Sequence, residues 1–150
     1  MSEHSATVTW RRTSASFDYE AYNRDHAWSF DGGVQVRASA APTYHGDTDC
    51  VDPEEALVAA ISGCHMLTFL AIASRKRLVV DAYEDHATGF LEKNASGKLA
   101  VTRVILRPLV QFGGTMTPSH DDVVRLHEQA HDGCIIANSV LTTVTVEPVD

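Results

Sequence analysis

The chain has 150 residues, of which 44% are hydrophobic and 21% charged, and a formal net charge of −8 at pH 7. That length suits a single domain over residues 1–150 with room for a real core, and the composition is ordinary for a globular protein. The acidic balance argues against nucleic acid as a partner, because phosphate binding needs a basic face.

Residues 6–13 (ATVTWRRT) alternate and predict a strand, and residues 16–22 (SFDYEAY) predict a second one paired to it. The DGG at residues 31–33 sits between two short β-rich runs and signals a hairpin. Residues 42–50 (PTYHGDTDC) form a polar loop. Residues 52–73 are the longest apolar run and predict a central buried helix. Asp52 suits its N-cap, Pro53 its first position and Glu55 the capping-box acid, while Arg75, Lys76 and Arg77 complement the dipole at its end. No formal charge falls between Ala56 and Ala73, a length that suits a membrane span. Ser62, Gly63, His65 and Thr68, with the soluble-type caps, favour a core helix and no membrane partner. Ala56, Ala59, Ala60 and Gly63 form a small-residue face that another helix can approach closely, within the chain or across a dimer.

Residues 78–91 and 99–111 are β-rich and, joined by the polar turn 92–98, predict an antiparallel hairpin. A second helix is expected from residues 117–119 to about Asp132, with Val123, Leu126, His127 and Ala130 on one face and Gly133 as a left-handed stop. Cys134 opens a further helical turn, and residues 141–149 alternate as a closing strand. The order predicts an α+β fold, two helices on antiparallel sheet.

The three cysteines, Cys50, Cys64 and Cys134, are too few and scattered for a secreted disulfide framework. The N-terminus MSEHSATVTWRR has no apolar segment of a signal peptide, so a cytoplasmic location is expected. Cys64 falls on a stripe with Leu57, Ile61, Leu67 or Thr68, and Ala71, where a small buried hydrophobe is the common fate of a cysteine. It lies too far into the helix for the dipole to activate it, so a reactive thiolate there needs a separate cation or base. Glu54 is left free by Glu55 and stands about 15 Å from Cys64 along one helix, so the two need a bridging side chain or a second subunit to share a site. His127, His131 and Cys134, spaced i, i+4 and i+7, are an alternative as metal ligands. Cys50 sits among carboxylates that disfavour its thiolate.

Asp52-Pro53-Glu54-Glu55, the helix ALVAAISGCHM and the segment AHDGCIIANSV together resemble the OsmC/Ohr family of thiol peroxidases, which reduce organic hydroperoxides. The resemblance covers nearly the whole chain. It implies that Cys64 is the peroxidatic cysteine, Cys134 the resolving one and Glu54 the family acid. It also implies an active-site arginine, best matched by Arg24 and second by Arg37. By the same resemblance the protein is an intertwined homodimer without a cofactor, reset by an external dithiol of lipoyl type. The residues after each cysteine, His65-Met66 and Ile135-Ile136-Ala137-Asn138, depart from the best-known members and look like a less studied OsmC-like branch. His65, Trp28 and Phe69 are candidates for a pocket lining or for core.

Overall fold

In the computed structural model, which describes residues 1–149, the chain forms two compact units, residues 1–56 and residues 57 onward. The first holds a three-stranded antiparallel sheet in the order β1 (Ala6–Thr9), β2 (His26–Phe30), β3 (Gln35–Ala38). The DGG hairpin joins β2 to β3 as expected, with Gly33 at φ 80, a backbone region that costs glycine nothing. The strand expected at residues 16–22 is absent, and bends and turns take its place. Ser16 Oγ accepts the Asp18 N–H at 3.0 Å, and such local side-chain bonds compete with a strand ladder. The aromatic residues of this segment cluster instead: the ring of Phe17 lies 5.1 Å from Tyr22 and 5.9 Å from Trp10.

Helix α1 (Pro53–Arg75) starts where the sequence places it. Asp52 Oδ1 accepts the Glu55 N–H at 2.8 Å, and Glu55 Oε2 accepts the Asp52 N–H at 3.1 Å, a complete capping box. The helix stops as Arg77 turns to φ 60 and the Leu78 N–H bonds back to the Ala73 carbonyl at 3.0 Å. α1 is long and apolar enough to cross a membrane by length and composition, with a window of mean hydropathy 2.0. Its buried positions form one stripe, Ile61, His65, Phe69 and Ala73. The expected stripe through Cys64 is therefore one residue out of phase. His65 faces the core and Cys64 is half-buried beside it.

The second β-rich region is a hairpin broken in two. β5 (Thr88–Lys93) pairs β6 (Leu99–Leu106), and β4 (Val79–Asp85) pairs β7 (Pro108–Gly113), both antiparallel. At the break, Asp85 accepts the Arg107 N–H at 2.6 Å and the Ser62 hydroxyl at 2.5 Å, anchoring the strands to α1. Helix α2 (His120–Gly133) opens on a capping box between Ser119 and Asp122. It then serves as the crossover to β8 (Thr143–Val146), which pairs β6 in parallel. This one parallel pairing joins the expected antiparallel sheets, since a crossover of this length permits a parallel partner. Gly133 keeps a negative φ and is not a left-handed stop. Its value is space: a Cβ there would sit 3.1 Å from Thr68 Cγ2 on α1. After it comes a short 3-10 turn, Ala137–Ser139, in place of an α-helical one. The result is a mixed α+β fold of two helices with largely antiparallel sheet.

Candidate active site

The second unit brings Cys64 and Cys134 together. Phe69 and Ala73 of α1 pack on Leu126 and Ala130 of α2, and the missing side chain of Gly133 lets the end of α2 approach Thr68. The chain leaving α2 therefore passes over α1 at residues 61–64. The Cys134 thiol donates weakly to the Ile61 carbonyl at 4.0 Å, and the Ile136 N–H donates to Cys64 Sγ at 3.5 Å. The Cys64 thiol is near enough to that of Cys134 to raise its pKa. Both are free, not bridged.

Their environments differ. Cys134 is 1% exposed, and burial pushes its thiol pKa up. The Ala137 N–H, 3.4 Å from its sulfur, opposes that shift, and the nearby Cys64 adds to it. Cys64 is half-buried and opens into a shallow apolar depression of about 610 Å³, walled by Ala60, Gly63, Leu67, Thr68 and Ile135. Cys64 is thus open to this depression, whereas Cys134 is closed off from it.

Beside the thiols lies a buried imidazole pair. His65 Nε2 and His127 Nδ1 are 3.0 Å apart, and among the described residues neither His65 Nδ1 nor His127 Nε2 has a partner. Burial, then the proximity of His131, lowers the His65 pKa to about 4 against a raising effect of Asp85. Burial, then His65, lowers His127 to about 4. Phe69 is fully buried against this pair, so His65 and Phe69 are core, while Trp28 lies half-buried on β2 and tilted against His26, 5.8 Å between ring centroids.

Arg24, Arg37 and Glu54 belong to the first unit. Arg24 is 9% exposed, and its Nη1 donates to the Tyr22 carbonyl at 2.5 Å and Nη2 to the Tyr19 carbonyl. Its guanidinium lies 3.6 Å over the Tyr22 ring, beside an apolar cavity of about 400 Å³ lined also by Trp10 and Phe17. Arg37 is exposed and paired with Asp47 at 3.8 Å. Glu54 is half-buried on the first turn of α1, with no ion pair among the described residues. His127, His131 and Cys134 do not converge as metal ligands. Among the described residues, the triple whose ligand atoms all lie within 4.8 Å of one another is Asp25, Asp47 and Cys50. The thiol of Cys50 is pushed up first by desolvation, with Asp47, Asp25 and Asp49 adding to it against Arg37.

Comparison with known proteins settles the family. Residues 46–149 match the family described as OsmC-like protein. The chain belongs to the OsmC family. An OsmC-like protein of unknown function from Vibrio cholerae is 49% identical, with 99% of this chain and 100% of that one aligned at a TM-score of 0.95. An organic hydroperoxide resistance protein from Elizabethkingia anophelis aligns over 99% and 94% of the two chains at 16% identity and TM-score 0.73. That of Bacillus subtilis aligns over 97% and 98% at 18% identity and TM-score 0.65. At those identities the likeness is one of fold. Curated proteins offer no match.

Within the OsmC family frame, the cysteines are the part of the site that sequence motifs reach. The imidazole pair and the Asp85–Ser62 bond join residues 62 and 23 positions apart, so no local motif marks them. His127 stood out in the sequence as a metal ligand; in the fold it bonds His65 instead.

Proposed function

We propose that this OsmC-family protein is a cysteine-based reductase of organic hydroperoxides. The observation that carries the reading is the approach of the segment after a buried Cys134 to a half-buried Cys64, whose sulfur accepts the Ile136 N–H at 3.5 Å. The Cys64 thiolate sulfur attacks the distal oxygen of ROOH and the O–O bond breaks. The alkoxide takes a proton and leaves as ROH, and Cys64 becomes a sulfenic acid. Cys134 loses its proton and attacks the Cys64 sulfur. The expelled hydroxide combines with a proton as water, and an S–S bond remains. Two thiols are thus oxidised as one hydroperoxide is reduced to alcohol and water. An external dithiol, of lipoyl type by family resemblance, restores the thiols by exchange.

Arg24 is assigned the role of cation for the thiolate and the peroxide, held in the family by the acid that Glu54 matches. A homodimer is part of the proposal. Only 22% of the apolar window of α1 is buried within the chain, and Leu67 and Ile135 around Cys64 are 65% and 73% exposed. Burying that face against a second copy removes it from water. A thiol pair that must start reduced fits a reducing, cytoplasmic compartment.

The test follows cumene hydroperoxide loss in the presence of dihydrolipoamide. Turnover by the wild-type protein and none by Cys64→Ser is the expected result. Equal turnover in the two proteins rules the assignment out.

A further inference from the structure

The face between α1 and α2 is apolar at one end, where Phe69 and Ala73 meet Leu126 and Ala130. Apolar packing is non-directional and by itself fixes register weakly. Toward the cysteines the contact becomes polar and directional. His65 and His127, 1% and 2% exposed, are joined at 3.0 Å with ring planes within 7° of parallel. Phe69 stacks on His127 at 4.4 Å between centroids. This bond sits beside the thiols on both helices: His65 directly follows Cys64, and His127 lies on the helix that delivers Cys134.

We propose that the His65–His127 contact is a positioning device for the thiol pair. It sets the register of α2 on α1 and so keeps Cys134 within reach of Cys64 once Cys64 is oxidised. The proposal rests on the reading that these two cysteines form the disulfide of the catalytic cycle. A single buried polar contact in an otherwise apolar interface is the best-attested means of fixing register. The bond needs one ring nitrogen as donor and the other as acceptor, so it holds with both rings neutral and fails when both are charged. The titratable groups facing it are His131 on α2, which opposes a charge on His65, and Asp85 on β4, which favours one. Tyr83 on β4, packed against Phe69, keeps a buried hydroxyl without a partner and adds no charge. The pair is accordingly neutral at pH 7, and acid is what releases the register.

The experiment mixes reduced full-length protein with one equivalent of cumene hydroperoxide. It measures peroxide loss and, separately, closure of the Cys64–Cys134 disulfide by quenched mass spectrometry. His127→Phe retains a ring on Phe69 and His65 but removes the ring nitrogen that bonds His65. It is expected to consume peroxide within about twofold of the wild-type rate, to close the disulfide at least tenfold more slowly, and to accumulate sulfenic acid on Cys64. His127→Asn, whose amide reaches the place of Nδ1 and does not titrate, restores closure to within about threefold. The wild-type ratio of closure to consumption falls more steeply than that of His127→Asn between pH 5.5 and 3.5, the range that brackets the folded pair's pKa of about 4. Closure by His127→Phe at the wild-type rate overturns the proposal, as does an equal loss in both steps, the mark of mere unfolding. Should His127→Phe not fold, identical pH profiles for wild type and His127→Asn overturn it as well. Absence of any Cys64–Cys134 disulfide in the wild type is a separate result that removes the underlying reading, and this proposal with it.

Discussion

Acid should weaken the fold at one identifiable place. His65 and His127 are held at about 4, well below the usual imidazole value of 6.5, by burial in the α1–α2 interface. The unfolded chain therefore binds more protons than the folded one between those values, and stability rises with pH across the window. The stabilisation is complete above pH 6.5 and is lost progressively as pH falls through 4. For a group shifted this far, the linkage relation gives a loss of about 2 kcal/mol per imidazole between pH 7 and pH 5. The pair interacts, so the combined loss is taken as about 2 to 4 kcal/mol. With a urea m-value of about 1 to 3 kcal/mol per molar, the unfolding midpoint should fall by about 1 M or more. Asp122, lowered to about 2 by its bonds to Ser119 and then Arg125, stays ionised in the folded protein at pH 5 and does not confuse the comparison. The assay is urea unfolding by circular dichroism at pH 7 and pH 5, on wild type and on a His65→Leu/His127→Leu double variant. The variant should lose most of the pH dependence whatever its absolute stability. An equal midpoint shift in both proteins would place the acid sensitivity elsewhere and refute the reasoning.

Gly89→Ala should cost about 1 to 3 kcal/mol, because the new Cβ lies 2.5 Å from Val58 Cγ2 and forces the helix side chain aside; thermal unfolding measures it, and an unchanged midpoint contradicts the packing. Asp52→Ala removes one arm of the α1 capping box and should cost about 1 kcal/mol in urea unfolding, with Asp52→Asn recovering most of it. Leu67→Asp puts a charge on the exposed apolar face beside Cys64, and sedimentation should show a monomer where the wild type is a dimer. A wild type that sediments as a monomer removes that part of the account.

Sequence logic reached the elements whose ends carry their own chemistry. Asp52 and Glu55 announced α1, the DGG turn announced the β2–β3 hairpin, and Ser119 stood close to the start of α2. It missed where distant partners decide. Residues 16–22 alternate well enough for a strand, but Ser16 and Asp18 close local bonds and the aromatic rings find one another. The stripe of α1 was one position out of phase because a helix apolar on several faces gives its period no clear direction; the contacts of Phe69 and His65 with α2 choose the face. Parallel pairing of β8 with β6 depends on where α2 lands, which alternation in residues 141–149 does not encode. The nearness of Cys64 to Cys134 came from the paired motifs, not from spacing, and the fold supplies its physical basis in the Gly133–Thr68 approach.

The central claim is that Cys64 and Cys134 work as a pair, and disulfide mapping tests it most directly. Reduced protein is treated with one equivalent of cumene hydroperoxide, digested without reductant, and mapped by mass spectrometry. The account predicts a Cys64–Cys134 peptide pair as the main product, with Cys50 still a free thiol. In Cys134→Ser, Cys64 should be recovered as sulfenic or sulfinic acid. Recovery of both cysteines as free thiols after the peroxide has been consumed, or a disulfide through Cys50, would contradict it.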